Sequence, residues 1–453
     1  MTISLATLSE EQLRAAARLK AAFARHGRAL FLVGGSVRDL LLGRPPPDLD
    51  FATDAPPATT RLAAQDAGAT AIYTSNERFA TVGLHLEGQP VEITTFRGDA
   101  SHADPLDGLA ADLALRDFTI NAMALSLEAE ARLIDPHDGR GDLMRRTIRG
   151  VADPRARLTE DPLRALRAVR FVAQFDFRIE PATREAVAEV APRLATVSAE
   201  RIGAELTRLL LAPGAATGLR LSEQLGLLDA TLPELGPLVG FAGEGSKDLW
   251  THTLRVVAQT PARAVARWAA LLHDVAKPRT YSVDADGVRF IGHEAAGARI
   301  ARKALTRLKL ERDLVEGIAT VIEFHGRPAQ YDASWGDGAV RRLMLDLGPW
   351  LPDLLDLARA DVTSARPDTV RRARARIDAL AEHCARLVAE RELARLQSPL
   401  DGNGLMQLFG RPPGPWIRPL KDYLRDLVID GALAPDDREG ATRLAERWMA
   451  ERK

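Results

Sequence analysis

The pattern of apolar residues changes near residue 150 of this 453-residue chain, and this change constrains the fold more than any other feature. Before it, the apolar run at 29–33 is typical of a buried strand, and the alternating segments 48–52 and 91–96 are typical of half-buried strands. After it, the pattern is that of amphipathic helices rich in arginine, apart from a hairpin predicted at 281–290. The sequence therefore predicts an α/β region followed by an essentially all-α region.

A short helix is predicted directly after the first strand. The pair Gly34-Gly35 breaks the apolar run, and a helix then runs from Ser36, near its N-cap, to Gly43, which closes it. A glycine pair in this place lets backbone N–H groups approach a phosphate, and Arg38 follows one turn further on. This turn is therefore a candidate phosphate site.

Composition excludes several classes of protein. Hydrophobic residues make up 46% of the chain and charged residues 27%, which excludes disordered, collagen-like and coiled-coil proteins. No stretch approaches about eighteen uncharged apolar residues, and residues 1–10 lack the features of a signal peptide, so we expect a cytoplasmic protein without membrane contact. The single cysteine, Cys384, excludes an intrachain disulfide and a thiolate zinc cluster, which leaves histidines and carboxylates as metal ligands.

Positive charge is concentrated in one segment. The formal net charge of the whole chain is −1, but residues 140–170 contain nine arginines and four acidic residues. Such a segment suits a polyphosphate ligand. The alternative is a solvated helix face in a chain in which most basic residues are arginine.

Three carboxylates are candidates for a metal-dependent reaction. Asp48 and Asp50 lie two residues apart on a predicted strand, so both project from one face, as paired oxygen ligands for Mg²⁺ must. Glu92 lies on another predicted strand, and three carboxylates on adjoining strands can hold two Mg²⁺ ions for an in-line phosphoryl displacement. The alternative is that the aspartates are solvated loop residues, and the nearby glycine turn favours the metal site.

Ordered motifs between residues 30 and 210 resemble one family. They are similar to the signature motifs of the class II tRNA nucleotidyltransferases and their bacterial poly(A) polymerase relatives, and they occupy 34–39 with 48–50, 116–123, 135–139, 160–171 and 198–202. The resemblance implies a polymerase-β-type head with a mixed sheet, a hinge after it, and a neck helix that selects the base. It also implies a tRNA substrate and an enzyme that works with Mg²⁺.

The resemblance assigns roles to single residues. Asp48, Asp50 and Glu92 would be catalytic and would ligate Mg²⁺. Nucleotide binding would involve the motif residues Gly34, Gly35, Arg38, Arg116, Asp117, Asn121, Asp161, Arg164, Arg167 and Arg170. Asp117 would read the ribose hydroxyl and Arg116 the phosphates. Arg167 and Arg170 would brace the neck or meet the triphosphate.

Asp161 and Arg164 carry the prediction of base selection. We expect them three residues apart on one helix face, where an acceptor and a donor can present an edge complementary to cytosine or adenine. The alternative is an ordinary surface ion pair worth under about half a kcal/mol. The motifs of the head favour the protein template, which needs no nucleic acid guide.

Two departures from the family pattern bear on specificity. The family motif begins with paired arginines, whereas Leu115 precedes Arg116 here. The segment 97–108 is short and acidic, where CCA-adding members have a longer flexible loop that is associated with switching from C to A. The shortened loop resembles that of enzymes that add only two cytidines and leave the adenosine to a separate A-adding enzyme. The prediction of CC addition rests on this loop and on Leu115, which removes one expected positive charge.

A second set of candidate ligands lies downstream. Histidines and aspartates occur in the order and approximate spacing of an HD-domain metal site, namely His252, His273, Asp274, His293, His325 and Asp361. Imidazole and carboxylate ligands suit Mn²⁺, Ni²⁺, Zn²⁺ or Fe²⁺, with open positions for water and phosphate. The alternative is that the HD domain serves mainly as a scaffold.

The C-terminal part carries weaker signals. The basic run 371–376 suits the tRNA backbone or a solvated helix face equally. The segments 400–406 and 412–417 resemble a short terminal module of HD-bearing relatives, to which we assign no chemistry.

The sequence thus predicts a mixed-sheet α/β head followed by an all-α neck, HD domain and tail. The expected ranges are 1–26 for an N-terminal helix, 27–150 for the head, 151–240 for the neck, 241–375 for the HD domain and 376–453 for the tail. The predicted activity is template-independent addition of two cytidines to tRNA from CTP. The alternatives are a full CCA-adding enzyme that also uses ATP, a poly(A) polymerase, and an HD phosphohydrolase acting on RNA ends.

Overall fold

The computed structural model divides the chain into two compact units, Met1–Pro233 and Glu234–Lys453. It describes residues 7–76, 80–97, 104–128, 131–241, 248–284, 287–363, 366–389 and 397–451. None of the helices among these residues is long and apolar enough to cross a membrane.

The first unit combines a sheet with helices. Its helices are α1 Glu10–Arg25, α2 Gly35–Leu41, α3 Pro57–Asp66, α4 Pro105–Ala114, α5 Gly139–Met144, α6 Pro154–Glu160, α7 Leu163–Phe175, α8 Pro181–Val190, α9 Ala199–Leu211, α10 Ala215–Gln224 and α11 Leu227–Thr231. Its strands are β1 Leu30–Val33, β2 Leu49–Thr53, β3 Ala71–Asn76, β4 Thr81–Leu86, β5 Gln89–Thr95, β6 Ala124–Ser126, β7 Leu133–Ile134, β8 Thr147–Ile148 and β9 Arg178–Ile179.

The second unit is helical apart from one hairpin in its described residues. The hairpin strands are β10 Ser282–Asp284 and β11 Gly287–Arg289. The helices are α12 Leu249–Gln259, α13 Ala264–Leu272, α14 Lys277–Thr280, α15 His293–Arg307, α16 Arg312–Phe324, α17 Asp337–Leu347, α18 Leu351–Asp361, α19 Pro367–Ala389, α20 Gly402–Phe409, α21 Ile417–Ile429 and α22 Arg438–Ala450.

Seven strands of the first unit form one mixed sheet, in the order β3-β4-β5-β2-β1-β6-β7. The neighbours β2 and β5 run parallel, and their register places Asp50 beside Glu92. The remaining neighbouring pairs of this sheet are antiparallel. The predicted α/β fold with a mixed sheet is confirmed.

Helices pack apolar side chains against the sheet and so stabilise it. The helix α1 starts with a capping box between Ser9 and Gln12 and buries Leu19 and Phe23. The helix α4 begins directly after Asp104, whose side chain accepts a hydrogen bond from its first turn. Its buried side chains pack with residues of β1, β2 and β6 in one apolar cluster.

The C-terminal part of the segment predicted as a short acidic loop is helical. Residues 98–103 lie outside the described residues, and 105–108 form the first turn of α4. The helix α19 runs without interruption from Pro367 to Ala389 and so spans the boundary predicted at residue 375. The three helices after it, α20 to α22, enclose their own apolar cluster, which includes Leu405, Leu420 and Leu424.

The prediction that Asp161 and Arg164 share one helix face is wrong. The helix α6 ends at Glu160, Asp161 is extended, and α7 begins at Leu163. Pro162 explains the break, because proline disfavours helical geometry in the residue before it and cannot donate the backbone hydrogen bond that a continuous helix needs. Asp161 therefore stands just before the N-terminus of the neck helix, while Arg164 lies within that helix.

Candidate functional site

The three predicted catalytic carboxylates meet at the paired strands β2 and β5. Asp50 and Glu92 are direct neighbours in the register, and Asp48 immediately precedes β2. Burial, and then the charge of Asp48, raise the pKa of Asp50 to about 7. Burial and Glu92 also raise the pKa of Asp48. Such crowding of carboxylate oxygens fits a divalent cation of the Mg²⁺ type, whose charge would relieve the repulsion.

The glycine turn leaves space beside these carboxylates. Gly34 has a φ of +68°, and a Cβ atom there would lie 2.7 Å from Nη1 of Arg116. A Cβ atom on Gly35 would lie 3.8 Å from Oδ2 of Asp50. Both glycines line a cleft of about 640 Å³ that also holds Asp48 and Asp50. A side chain at Gly34 would therefore collide with Arg116 and fill part of this cleft.

Ser36 has a different role from the predicted N-cap. The helix α2 begins at Gly35 with Gly34 as its cap residue, so Ser36 lies inside the first turn. Its hydroxyl donates to the carbonyl oxygen of Asp48 at 3.1 Å and accepts from the backbone N–H of Asp50 at 2.9 Å. Ser36 thus fixes the backbone that carries both aspartates.

Arg38 is buried and held on several sides. It forms two hydrogen bonds with the carboxylate of Asp39, at 2.9 and 3.0 Å, and it donates to Oδ1 of Asn121 at 2.8 Å. Its guanidinium carbon lies 4.7 Å from the ring centroid of Phe175 on the neck helix α7. Arg38 lines the cleft, and its contacts join α2 to the neck.

Arg116 is positioned by a residue that the sequence analysis did not identify. The fully buried Asp112 on α4 accepts from Nη2 of Arg116 at 3.0 Å and from Nε of Arg97 at 2.7 Å. Both arginines line the cleft. A buried aspartate on a helix that otherwise buries leucine was the available signal, because such a carboxylate needs a partner.

Asp117 joins the head to the neck. Both Nε and Nη2 of Arg167 on α7 donate to its Oδ2, at 2.8 and 2.7 Å, and Nδ2 of Asn121 donates to Oδ1 at 3.1 Å. Burial acts in the opposite direction, but these partners hold the pKa of Asp117 well below its ordinary value. Asp117 is therefore a permanent anion in the wall of the cleft.

A buried glutamate organises the other neck arginines. Glu205 on α9 accepts from Nε of Arg170 at 2.7 Å and from Nη1 of Arg208 at 2.9 Å. The guanidinium of Arg170 also stacks on Phe171, and burial lowers its pKa to about 10. The sequence analysis missed Glu205, although its place on the apolar face of α9, close to Leu206, was visible.

The two predicted base-selecting residues line the same cleft from separate elements. Oδ2 of Asp161 accepts from Nη2 of Arg201 at 2.6 Å. Arg164 donates to the backbone carbonyls of Arg157 and Leu115, both at 3.0 Å. Asp161 and Arg164 are therefore each held by other residues of the first unit and not by each other.

The predicted HD residues also meet in space. Nε2 atoms of His252 and His273 lie 3.4 and 3.2 Å from Oδ2 of Asp274. Nε2 atoms of His293 and His325 lie 3.8 and 3.9 Å from its Oδ1. Asp274 therefore belongs to two groups of three ligand residues each.

The remaining contacts of this cluster fit a metal centre. Oδ1 of Asp361 lies 3.0 Å from Nε2 of His252. Oδ1 of Asp274 is buried and has no hydrogen-bond partner among the described residues. Nδ1 of His273 faces the carbonyl oxygen of Ala270, which directs Nε2 inward. Burial, and then His273, lower the pKa of His325 to about 4, so it is neutral at pH 7, as a ligand must be.

Comparisons with known proteins decide the family. Residues 30–149 match the model of the poly A polymerase head domain, 176–238 that of the probable RNA and SrmB-binding site of polymerase A, and 249–366 that of the HD domain. An A-adding tRNA nucleotidyltransferase of Deinococcus radiodurans is 37% identical to this chain, over 93% of the chain and 95% of that protein. The chain belongs to the class II tRNA nucleotidyltransferases. This nucleotidyltransferase also carries an HD domain, as its sequence predicted.

Other relatives of this nucleotidyltransferase differ in what they add. A CC-adding enzyme of Thermus thermophilus is 37% identical over 74% of the chain and 76% of that protein. A CCA-adding enzyme of Geobacillus stearothermophilus is 31% identical over 94% of both. The crystal structure of the Bacillus stearothermophilus CCA-adding enzyme in complex with CTP matches with a TM-score of 0.65 and 28% identity, over 98% of this chain and 99% of that one. The predicted fold class and kind of enzyme are confirmed.

The raised pKa of Asp50 has a measurable consequence for stability. Between pH 4 and pH 7 the folded, metal-free protein keeps a proton on Asp50 that the unfolded chain has lost, so stability falls as pH rises through this window. Asp50→Asn removes the group that titrates, and with it this decrease in stability. We expect it to raise the free energy of unfolding at pH 8 in EDTA, by up to about 4 kcal/mol, and by less at pH 5. Urea titrations of both proteins measure this.

Asp66→Asn, at a half-exposed site on α3, is the control and should show no such gain. Adding Mg²⁺ should reduce the difference in free energy of unfolding between Asp50→Asn and wild type, because binding of the ion stabilises the folded wild-type protein. If Asp50→Asn raised the free energy of unfolding equally at pH 5 and pH 8, the result would contradict a pKa of Asp50 that burial and the charge of Asp48 raise.

Proposed function

We propose that the protein extends the 3′ end of tRNA with nucleotides from CTP by metal-dependent phosphoryl transfer. The observation that carries this proposal is the pairing of Asp50 with Glu92, with Asp48 beside them, next to a glycine turn that leaves room for phosphate. Asp48 and Asp50 would hold Mg²⁺, which supplies positive charge at the attacking and leaving oxygens. Glu92 would ligate the Mg²⁺ ion at the attacking 3′-hydroxyl.

The cleft provides the remaining functions of a nucleotide site. Arg116, held by Asp112, would meet the triphosphate, and the anionic Asp117 would accept from the ribose hydroxyl. Asp161 and Arg164 would read the base from two separate elements. Their partners restrict both side chains, which suits one fixed pattern of donors and acceptors.

We propose that addition stops after two cytidines. The support is Leu115 in place of an arginine, the short acidic segment 97–108, and the attachment of Arg164 to two backbone carbonyls, which opposes the movement that a purine requires. A separate A-adding enzyme would then complete the tRNA. Addition of A alone is a second candidate, because the A-adding relative matches nearly the whole chain.

We also propose a metal-dependent phosphohydrolase activity at the HD cluster. Asp274 lies between two pairs of histidines, and its buried Oδ1 has no hydrogen-bond partner among the described residues, which supports a bound divalent transition metal with Mn²⁺, Ni²⁺, Zn²⁺ and Fe²⁺ as candidates. The described histidine ligands present Nε2 to the centre. A terminal phosphate of an RNA is the substrate class that suits an enzyme acting on tRNA ends.

Asp48→Ala and Asp50→Ala should each abolish nucleotide addition, because one remaining aspartate cannot hold the ions for both oxygens. Incorporation of labelled CMP into tRNA lacking its 3′ end measures this. Asp66→Ala is the matched control and should keep wild-type rates. Losses below about tenfold, or about 1.4 kcal/mol of barrier, would exclude these residues as metal ligands.

Nucleotide specificity is resolved with three tRNA substrates, ending before the first C, after one C, and after both. With CTP and ATP together, the first two should be extended to CC and no further, and the third should remain unextended. Sequencing of the products distinguishes the alternatives. Full CCA on all three indicates a CCA-adding enzyme, extension of only the third by A indicates an A-adding enzyme, and long A tails indicate a poly(A) polymerase.

A double substitution separates the two proposed activities. His273→Ala with Asp274→Ala should remove bound transition metal and any hydrolysis of a 2′,3′-cyclic phosphate or 3′-phosphate RNA end, while nucleotide addition remains. Elemental analysis and thin-layer chromatography measure the two effects. His26→Ala, in the other unit, is the control. A wild-type protein without bound metal and without hydrolysis in Mn²⁺, Ni²⁺ or Co²⁺ would reduce the domain to a scaffold.

A further inference from the structure

Two cavities adjoin the carboxylates, and the second has no role so far. The first, of about 640 Å³, contains the glycine turn together with Asp161 and Arg164. The second, of about 490 Å³, contains Glu92 and lies against β4 and β5. Asp50 lines both cavities, together with Arg97, Arg116, Arg167 and Arg208, so the two cavities adjoin at this carboxylate.

The geometry of in-line phosphoryl transfer indicates what the second cavity could hold. The attacking oxygen and the leaving group must stand on opposite sides of the transferred phosphorus. If the nucleotide occupies the cavity with the glycine turn, the attacking 3′-hydroxyl has to arrive from the side of Glu92. The end of the acceptor RNA therefore approaches over β5 and the strands beyond it.

A row of four residues crosses the sheet at this place. The strand registers align Asp50 with Glu92, Glu92 with Gly83, and Gly83 with Tyr73. Directly paired residues project from one face, and neighbouring strands lie about 4.8 Å apart. The row thus leads from the catalytic carboxylates toward the edge strand β3.

The end of this row is an exposed aromatic ring. Tyr73 is 45% exposed, and a Cβ atom on Gly83 would lie 2.5 Å from its Cζ atom. The ring therefore lies across Gly83, which is possible only because that residue has no side chain. On β4 and β5 the residues that alternate with the row, among them Leu84 and Ile93, are buried on the opposite face. Tyr73 is not needed for that core.

We propose that Tyr73 is the stacking platform for the terminal base of the acceptor RNA. This inference rests on the proposed function. An exposed aromatic ring on an open sheet face is a common way to bind an unpaired RNA base, and stacking tolerates any base. It places the terminal nucleotide with its base on Tyr73 and its 3′-hydroxyl toward Glu92, one or two strand widths away. A ring at this position suits an enzyme whose acceptor end changes with each addition.

The test compares Tyr73→Ala, Tyr73→Leu and Tyr73→Phe in steady-state addition of CMP to tRNA lacking its 3′ end. We expect the alanine and leucine variants to raise the KM for tRNA at least about fivefold, with the KM for CTP within twofold of wild type. The phenylalanine variant should behave as wild type, because it keeps the ring. Leu62→Ala, an exposed apolar residue on α3, is the matched control.

A second RNA isolates the stacking contact. A tRNA with an abasic 3′-terminal nucleotide should bind wild-type protein at least about fivefold more weakly in a filter-binding assay without nucleotide, and this penalty should vanish in Tyr73→Leu. Equal penalties in both proteins, or an unchanged KM for tRNA in the alanine and leucine variants, would overturn the proposal. Because binding is measured without catalysis, a wild-type protein that binds the RNA but does not extend it contradicts the proposed function instead.

Discussion

The parallel pairing of β2 with β5 is the contact on which the rest of the head depends. It sets the carboxylates of Asp50 and Glu92 side by side in a partly buried place, where like charges repel. The surrounding sheet and helices tolerate this because strands such as β1 are buried along their whole length. Repulsion between buried carboxylates inside an otherwise well-packed domain is typical of a catalytic site.

Acidic side chains within the first unit neutralise much of the basic segment at 140–170. Asp142 pairs with two arginines of that segment, Asp117 with one on the neck helix, and Glu205 with another. Paired in this way, the guanidinium groups serve mainly as rigid connectors between helices and sheet. The sequence count of nine arginines therefore overstates the positive potential that this surface presents to a polyphosphate.

Alternation of polar and apolar residues predicted that Asp50 and Glu92 lie on strands. The parallel pairing that sets them side by side came from the structure, because it depends on contacts between segments far apart in sequence. The histidines and aspartates of the HD cluster were equally predictable from their spacing in the sequence. Asp112 and Glu205 were not identified, since the partner of a buried charge depends on contacts between elements far apart in sequence. The helix break at Pro162 was readable from the chemistry of proline, and the periodicity of the flanking helices concealed it.

Three contacts fasten the head to the neck: the ion pair of Asp117 with Arg167, the hydrogen bond from Arg164 to the carbonyl of Leu115, and the stacking of Arg38 on Phe175. Opening the first contact alone would leave the buried carboxylate of Asp117 without its arginine partner, which is unfavourable. Polar and aromatic contacts thus tie the neck helix α7 to residues of the head. If the proposed addition takes place in this cleft, a wall held by these contacts leaves the movement to the RNA, whose lengthened end would shift back by one nucleotide before the next nucleotide enters.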